Sequence, residues 1–492
     1  MKKADICIIT EGSYPYYPGG VTRWVSELIR ERKECTFHIL SLLPPHPELS
    51  VLPPFPPNVI GHTSFIVQAL PAGAPASQTP PLFWQQAGEL LKQLISGSPP
   101  LGLEPFLDLF EKCRPILGKR ILCESREAWD FFLRFYHEMI PHGPFKAYFA
   151  TLFTLSRSLF SMTLPKLPEA TLYHAVCTGY AGYLLVRAKH EKKAHCILTE
   201  HGVYTNERRI EISMADWIAD LHSLDLSLEK STTTLKQFWY KFFYSMAALC
   251  YQSCDAILST FEGTQQIQKN IGADPKKLKT VVHGINPEQY IPLTKLRTAH
   301  PFTVAFIGRM VRIKDVMTYI RACHIVSEKR PDVRFLALGP TTEDPDYFKE
   351  CLQLISMLGM KEVLQFPGEV DPRAYFPQID LVVLTSISEV QSLVQLEAGS
   401  MGIPAVATNV GAAKEIIDGK EGESPSLGPG GIVTPLVSPE ATANAILKFV
   451  DDRPFYQTCS AAIAQRIGAY YKLEEEQNFY RELYQSYLKG EK

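Results

Sequence analysis

Short apolar runs alternate with segments of helical period along most of this chain, and that alternation points to the fold class before any single residue does. Near the start, DICIIT (5–10) and TFHILSLL (36–43) read as buried strands, with GVTRWVSELIRER (20–32) between them as an amphipathic helix. Strand, helix, strand in this order predicts a parallel sheet. A proline-rich zone follows from Pro44 to about Pro81. PPHPELSVLPPFPPN (44–58) is expected to lack regular structure, because proline fixes φ and removes a donor. Residues 82–165 read as an inserted helical, aromatic layer, after which the strand rhythm resumes in ATLYHAV (170–176), AHCILTEHG (194–202) and CDAILS (254–259).

The stretch NPEQYIPLTKLRTAHP (286–301) is polar, aperiodic and proline-bearing, so it reads as a linker. A second alternating unit follows it. Strands are expected in FTVAFIG (302–308), VRFLALG (333–339), VLQFPGEV (363–370), DLVVLTS (380–386), PAVATNVG (404–411) and GGIVTP (430–435), with helices between them. The tail AYYKLEEEQNFYRELYQSYL (469–488) is an amphipathic helix. The expected organisation is α/β: two doubly wound domains, 1–292 and 300–466, and a C-terminal helix, 467–492, crossing back to the first domain. Their loops at the strand C-termini would face a central cleft.

Composition narrows the function classes. At 492 residues the chain is too long for one core, and 46% apolar with 21% charged residues is ordinary for a globular protein. A formal net charge of −2 argues against a nucleic-acid partner. The 11 cysteines are scattered without a CxxC pair, so reduced buried thiols are expected rather than a zinc site. The N-terminal MKKADICIIT is too short in apolar length for a signal peptide, and the apolar FWYKFFYSMAALCYQSCDAILS (238–259) is broken by Lys241. A cytoplasmic protein with a buried aromatic helix is the expectation.

Candidate chemistry sits at the expected strand ends. In EGSYPYYPGGVTRW (11–24), Gly19 and Gly20 separate a strand from a helix N-terminus, where backbone N–H groups can hold an anion; a plain tight turn remains open. His201, in TEHG, is the one histidine directly after a buried strand and beside a glycine. In FIGRMVRIKD (306–315), Arg309 and Lys314 offer the charge and donors that a diphosphate needs. Gly368, followed by Glu369 and Val370, would let backbone approach a flat ring and read a base edge; a plain loop remains equally open. In TSISEVQSLVQLEAGSMG (385–402), Glu389 and Glu397 are eight apart, at opposite ends of a loop and helix start. The N–H groups near Ser392, Leu393 and Val394 lie between them, suited to a phosphate. Thr408, Asn409 and Gly411 are expected to line the cleft floor.

These motifs, ordered along the whole chain, resemble the retaining glycosyltransferases of family 4, which have the GT-B fold. EGSYPYYPGGVTRWV, TEHGVYTNERRI, GPTTEDPDYFKEC and TSISEVQSLVQLEA are similar to the narrower PelF group, whose members carry an N-terminal helical insertion. The resemblance implies a UDP-sugar donor, no required cofactor, and an exopolysaccharide acceptor handled beside a membrane-bound synthase or export complex. It also implies roles. Arg309 and Lys314 hold the diphosphate, Glu397 the ribose, and Glu389 and His201 the hexose, while the Gly19-Gly20 loop closes over the phosphates. The family often has Gly after the first glutamate and Pro two residues later. Val390 and Ser392 stand there, which bears on donor-sugar specificity. A UDP-sugar epimerase and a non-catalytic UDP-sugar-binding scaffold are the rival readings. Asp344-x-Asp346 has the spacing of a metal motif, but it opens a helix and reads as acidic residues at the positive dipole end; no metal is expected.

Overall fold

The computed structural model describes residues 3–17, 19–47, 54–97, 102–139, 144–215, 218, 235–294, 296 and 300–489. Part of the expected linker, at 295 and 297–299, lies outside them, as do 48–53 of the proline-rich zone. The chain divides into two compact units, Met1–Thr280 with Arg481–Lys492, and Val281–Tyr480.

Unit 1 is built on seven strands: β1 (Ala4–Glu11), β2 (Phe37–Leu43), β3 (Val59–Ile66), β4 (Ala170–Ala175), β5 (His195–Glu200), β6 (Ala256–Ser259) and β7 (Leu278–Thr280). They run in the order β3-β2-β1-β4-β5-β6-β7, every pairing parallel. All seven residues of β2 are buried, as expected of a parallel strand covered on both faces. The strand order reverses at β1/β4, a switch point where the loops after the two strands part and leave a crevice.

β3 lies in the proline-rich zone just beyond residues 44–58, where no strand was expected. VIGHTSFI contains no proline inside a window crowded with them, and it pairs with β2 alone as the sheet edge. Composition over the window concealed eight residues whose N–H groups were all intact. β7, three residues at the other edge, is too short to carry a pattern.

Between β3 and β4 lie helices Phe83–Ser96, Glu104–Cys113, Lys119–Leu122, Arg126–Met139 and Phe145–Thr163. Their aromatic side chains form a core continuous with the sheet. Trp84 stacks on Phe131 with centroids 5.3 Å apart, and its indole N–H donates to the Ile121 carbonyl at 3.3 Å. Gly88 admits the Phe131 ring where a Cβ would stand, at about 2.5 Å. Helix Leu235–Ser253, the apolar segment of the sequence, is buried along most of its length. Among the described residues, no helix is long and apolar enough to cross a membrane. All 11 cysteines are free thiols.

Unit 2 has six parallel strands: β8 (Thr303–Ile307), β9 (Arg334–Leu338), β10 (Leu364–Gly368), β11 (Leu381–Leu384), β12 (Ala405–Thr408) and β13 (Gly431–Thr434). Their order, β10-β9-β8-β11-β12-β13, reverses at β8/β11. Unit 2 begins upstream of the expected linker because residues 283–285 are hydrogen-bonded within it. Ile285 pairs with Lys472, and the Gly284 N–H donates to Glu476 at 2.9 Å. The tail is two helices, Arg453–Tyr470 and Leu473–Leu488, because Tyr471 and Lys472 turn aside into that pairing.

In unit 1 the end of helix Leu473–Leu488 is fastened to β4 by His174. Its Nδ1 lies 2.7 Å from the Tyr484 hydroxyl and its Nε2 2.8 Å from the Thr199 hydroxyl. Burial pushes the His174 imidazole down to about 3. An unfolded chain takes up this proton near pH 6.5 and the folded chain only near 3. Stability is therefore full above pH 6.5 and falls as the pH drops through that window. At pH 4.5 the loss from this group is about 2–3 kcal/mol. Urea melts of the wild type and His174→Phe at pH 7.5 and 4.5 check it, the variant being expected to lose less stability on acidification.

Candidate functional site

In unit 2 the strand ends on one side of the switch point are glycines. Gly308, Gly339 and Gly368 follow or close β8, β9 and β10, and their backbones interlock. Gly308 N–H donates to Leu338 O and Gly339 N–H to Gly368 O, each at 2.9 Å. Gly339 has φ 144°, and a Cβ there would collide with the Gly308 carbonyl, so the position is closed to other residues. Gly368 has φ 81°. It ends the edge strand two places from β8, with Glu369 exposed and Val370 half-buried behind it.

From Gly308 the chain passes Arg309 and turns through Arg312–Lys314 into Asp315. Asp315 is left-handed (φ 45°, ψ 55°) and caps helix Val316–Lys329, its carboxylate accepting from the Thr318 N–H at 3.2 Å and hydroxyl at 2.6 Å. The turn is clamped to the loop after β11. The Thr385 hydroxyl donates to the Asp315 carbonyl at 2.8 Å, and the Ile387 N–H to the Ile313 carbonyl at 2.8 Å. This clamp sets Lys314 opposite Glu389, and the two form an ion pair with side chains 18% and 25% exposed. The Ser386 hydroxyl also reaches Glu389, at 3.4 Å.

The structure therefore brings Lys314 and Glu389, 75 residues apart in sequence, into direct contact. Arg309 is more open and pairs with Glu343. Sequence reasoning missed Glu343 as a partner, and it missed Arg312 altogether. Arg312 meets Glu350 at 2.6 Å and lies over the Tyr347 ring at 5.2 Å. The Glu350 carboxylate raises its already high pKa. Only the density of bases in RMVRIKD pointed to Arg312. Asp344 caps helix Pro345–Met357, accepting from the Tyr347 N–H at 3.1 Å.

Ser392 caps helix Leu393–Ser400, accepting from the Gln395 N–H at 3.4 Å. Glu397, one turn in, is buried at 4% exposure. Neither Val390 nor Ser392 takes a positive φ, so the β-branched residue is accommodated without strain. Thr408 is 1% exposed, and its hydroxyl donates to the Ser386 carbonyl at 2.6 Å, so it braces the Glu389 loop from beneath. Gly411 (φ 51°) packs where a Cβ would collide with the Glu389 and Val390 carbonyls, and the Ala412 N–H donates to Val390 O at 2.7 Å. Asn409 is exposed. A small pocket lined by Ser386, Glu389, Ser392, Gln395 and Thr408 lies against this loop.

In unit 1 the corresponding loops flank β1/β4. Gly19 and Gly20 are exposed at the start of helix Gly20–Glu31, and no side chain caps that helix. The helix carries Trp24, whose ring meets the His201 ring edge-on with centroids 4.3 Å apart. The helix that follows the glycine loop thus packs on His201 through Trp24. Glu11, at the end of β1, accepts from the Tyr204 hydroxyl at 2.7 Å and from the Ala181 N–H at 3.0 Å, which holds the turn after His201. Glu200 is fully buried, bonded by Tyr251 at 2.7 Å and Gln268 at 2.8 Å, and burial pushes its carboxyl up. Trp24, Glu11 and Tyr204 escaped the sequence reading because nothing in their spacing connects them.

Residues 4–276 match the family described as Domain of unknown function (DUF3492). The chain belongs to this family. Residues 301–452 match the family described as Glycosyl transferases group 1. The chain is 30% identical to the D-inositol 3-phosphate glycosyltransferase of Paenarthrobacter aurescens (strain TC1) over 179 residues, 34% of this chain and 43% of the relative. With that of Corynebacterium urealyticum it shares 25% over 246 residues, 47% of this chain and 56% of the relative. The chain thus spans about half the length of these curated relatives. Two solved structures superpose over 98% of it. Anabaena Alr3699/HepE in complex with UDP and glucose has a TM-score of 0.59, 14% identity and 100% of its own chain covered. Sucrose-phosphate synthase (tll1590) from Thermosynechococcus elongatus has a TM-score of 0.60, 14% identity and 99% covered. The DUF3492 chain has the GT-B fold.

Asp315 supports the placement of Lys314 in two ways, as a helix cap and as a residue tolerant of left-handed φ. Asp315→Ala is expected to cost about 1–2 kcal/mol in chemical denaturation, and Asp315→Asn a few tenths at most. Equal losses in both variants would show that the cap is not what the position supplies.

Proposed function

We propose that this protein is a retaining glycosyltransferase that moves a hexosyl unit from a UDP-sugar to a growing exopolysaccharide. One observation carries the reading. Two loops meet at the β8/β11 switch point of the region matching group 1 glycosyl transferases and set Lys314 against Glu389, with Arg309 earlier in the loop after β8 and Glu397 inside the helix after β11. Anabaena HepE, of the same fold, binds UDP and glucose in its crystals, which favours a UDP-linked donor here.

Arg309, Lys314 and the N-terminus of helix Leu393–Ser400 neutralise charge as it develops on the departing diphosphate. Glu397 binds the ribose hydroxyls, Gly368 to Val370 lie along the base, and Glu389 orients the hexose near the reacting carbon. In unit 1, His201 and the loop at Gly19 and Gly20 are assigned to the hexose and the phosphates. The acceptor hydroxyl attacks from the face the diphosphate leaves, and the departing phosphate takes its proton, so no carboxylate nucleophile and no divalent ion is required. The acceptor is delivered by a membrane-bound polysaccharide synthase or export complex on the cytoplasmic side.

Purified protein screened against UDP- and GDP-sugars by thermal shift and nucleotide release tests the donor. UDP-sugars are expected to stabilise the protein, by about 2.7 kcal/mol at 100 times Kd. Stabilisation by GDP alone would reject the reading. Lys314→Ala is expected to lower kcat about 10²- to 10³-fold. Exhaustive EDTA treatment is expected to leave the initial rate unchanged, and a rate restored by added divalent ion would overturn the metal-free mechanism.

A further inference from the structure

Gln391 stands two residues after Glu389 and immediately before the cap of helix Leu393–Ser400, and it is 6% exposed. Its amide pairs with the backbone of His283. The His283 N–H donates to Oε1 at 2.8 Å, and Nε2 donates to the His283 carbonyl at 3.2 Å. One side chain thus reproduces a rung of a β-ladder, satisfying both backbone groups of a residue that is itself 5% exposed.

His283 is fixed from its other side as well. Its Nδ1 lies 2.9 Å from Glu476 Oε1, and the next residue, Gly284, donates its N–H to Glu476 Oε2 at 2.9 Å. Ile285 follows with a short parallel bridge. Its N–H donates to Tyr471 O at 2.9 Å, and its carbonyl accepts from the Leu473 N–H at 3.1 Å. The approach is so close that a Cβ on Gly284 would collide with the Lys472–Leu473 backbone. These pieces have a particular place in the chain. Unit 2 begins at Val281 and ends at Tyr480, so 283–285 lie at its entry and 471–476 just before its exit. The loop after β11, the entry segment and the exit segment are joined by buried hydrogen bonds, and Gln391 makes the two between loop and entry.

We propose that Gln391 is a positioning residue that ties the Glu389 loop to the entry and exit segments of unit 2, so that the three shift together. For catalysis this rests on the function proposed above. On its opposite side the loop is held by Gly411 and the bond from Ala412 to Val390. A carboxylate that orients a hexose must keep its place within about half an ångström, and both braces serve that. Arg309 and Lys314 are carried on another segment, and Glu397 lies one turn inside helix Leu393–Ser400, whose start is held by its own cap, Ser392. Loss of the Gln391 brace therefore acts on turnover more than on nucleotide affinity.

The test uses the full chain, with Gln391→Leu against wild type, followed by amide hydrogen exchange, UDP titration calorimetry and steady-state transfer. In the variant, exchange is expected to quicken together in 282–286, 388–393 and 471–476, with the strands unchanged. The kcat is expected to fall about tenfold or more while the Kd for UDP stays within about threefold. Quickened exchange confined to 388–393, an equal loss in kcat and UDP affinity, or no change in exchange would each overturn the proposal. Should the leucine variant not fold, Gln391→Glu keeps the acceptor and loses the donor, and an intermediate version of the same exchange pattern is required. If wild type neither binds UDP nor transfers a glycosyl unit, the proposed function falls. The exchange pattern still decides whether the three segments are tied.

Discussion

Strands β8 and β11 lie side by side and parallel, with Val304 beside Leu381 and Ala305 beside Val382, and the candidate site of unit 2 depends on that adjacency. Parallel neighbours send their loops out of the same end of the sheet. Here the loops then diverge, because the strand order reverses between them. The turn at 312–315 and the loop at 385–392 are left facing one another, and one backbone hydrogen bond and the Thr385 hydroxyl clamp them before any charge is considered. The Lys314–Glu389 pair follows from this geometry. Both side chains are partly withdrawn from water, so solvent screens the pair less than a surface ion pair.

Close approach of backbone is the second constraint. Gly339 receives the Gly308 carbonyl, Gly411 packs on the carbonyls of Glu389 and Val390, and Gly284 lies on the Lys472–Leu473 backbone. Each contact lets an extended segment pass where a side chain would hold it off. Hydrogen bonds across the gap then replace the missing packing, so the loops at the strand ends are tied in place without being part of the sheet.

Unit 1 solves the same problem with side chains. Glu11 and Glu200, both at strand ends, collect donors from the helices that follow, while Trp24 supplies an aromatic face for His201. The helical layer between β3 and β4 adds an aromatic core to one side of the sheet and carries none of these groups. It thickens the scaffold without altering the β1/β4 switch point.

The sequence by itself determined the two alternating α/β units, most of the strands, the positions of His201, Arg309, Lys314 and Glu389 in the segments after strands, and that of Glu397 inside the helix that follows. Those are properties of local period and of chemistry placed just after an apolar run. It also located Asp344 as a helix start, because a cap acts over three residues. β3 was hidden by the prolines around it, and β7 by its length. Tertiary structure alone decided that Lys314 meets Glu389, that Thr408 braces Ser386 from within, that Trp24 lies on His201, and that Gln391 reaches back to His283. Those contacts join residues from 22 to more than a hundred positions apart, and no local pattern encodes them. They exist because strand order brings distant loops to one end of a sheet, where every buried N–H and C=O must find a partner.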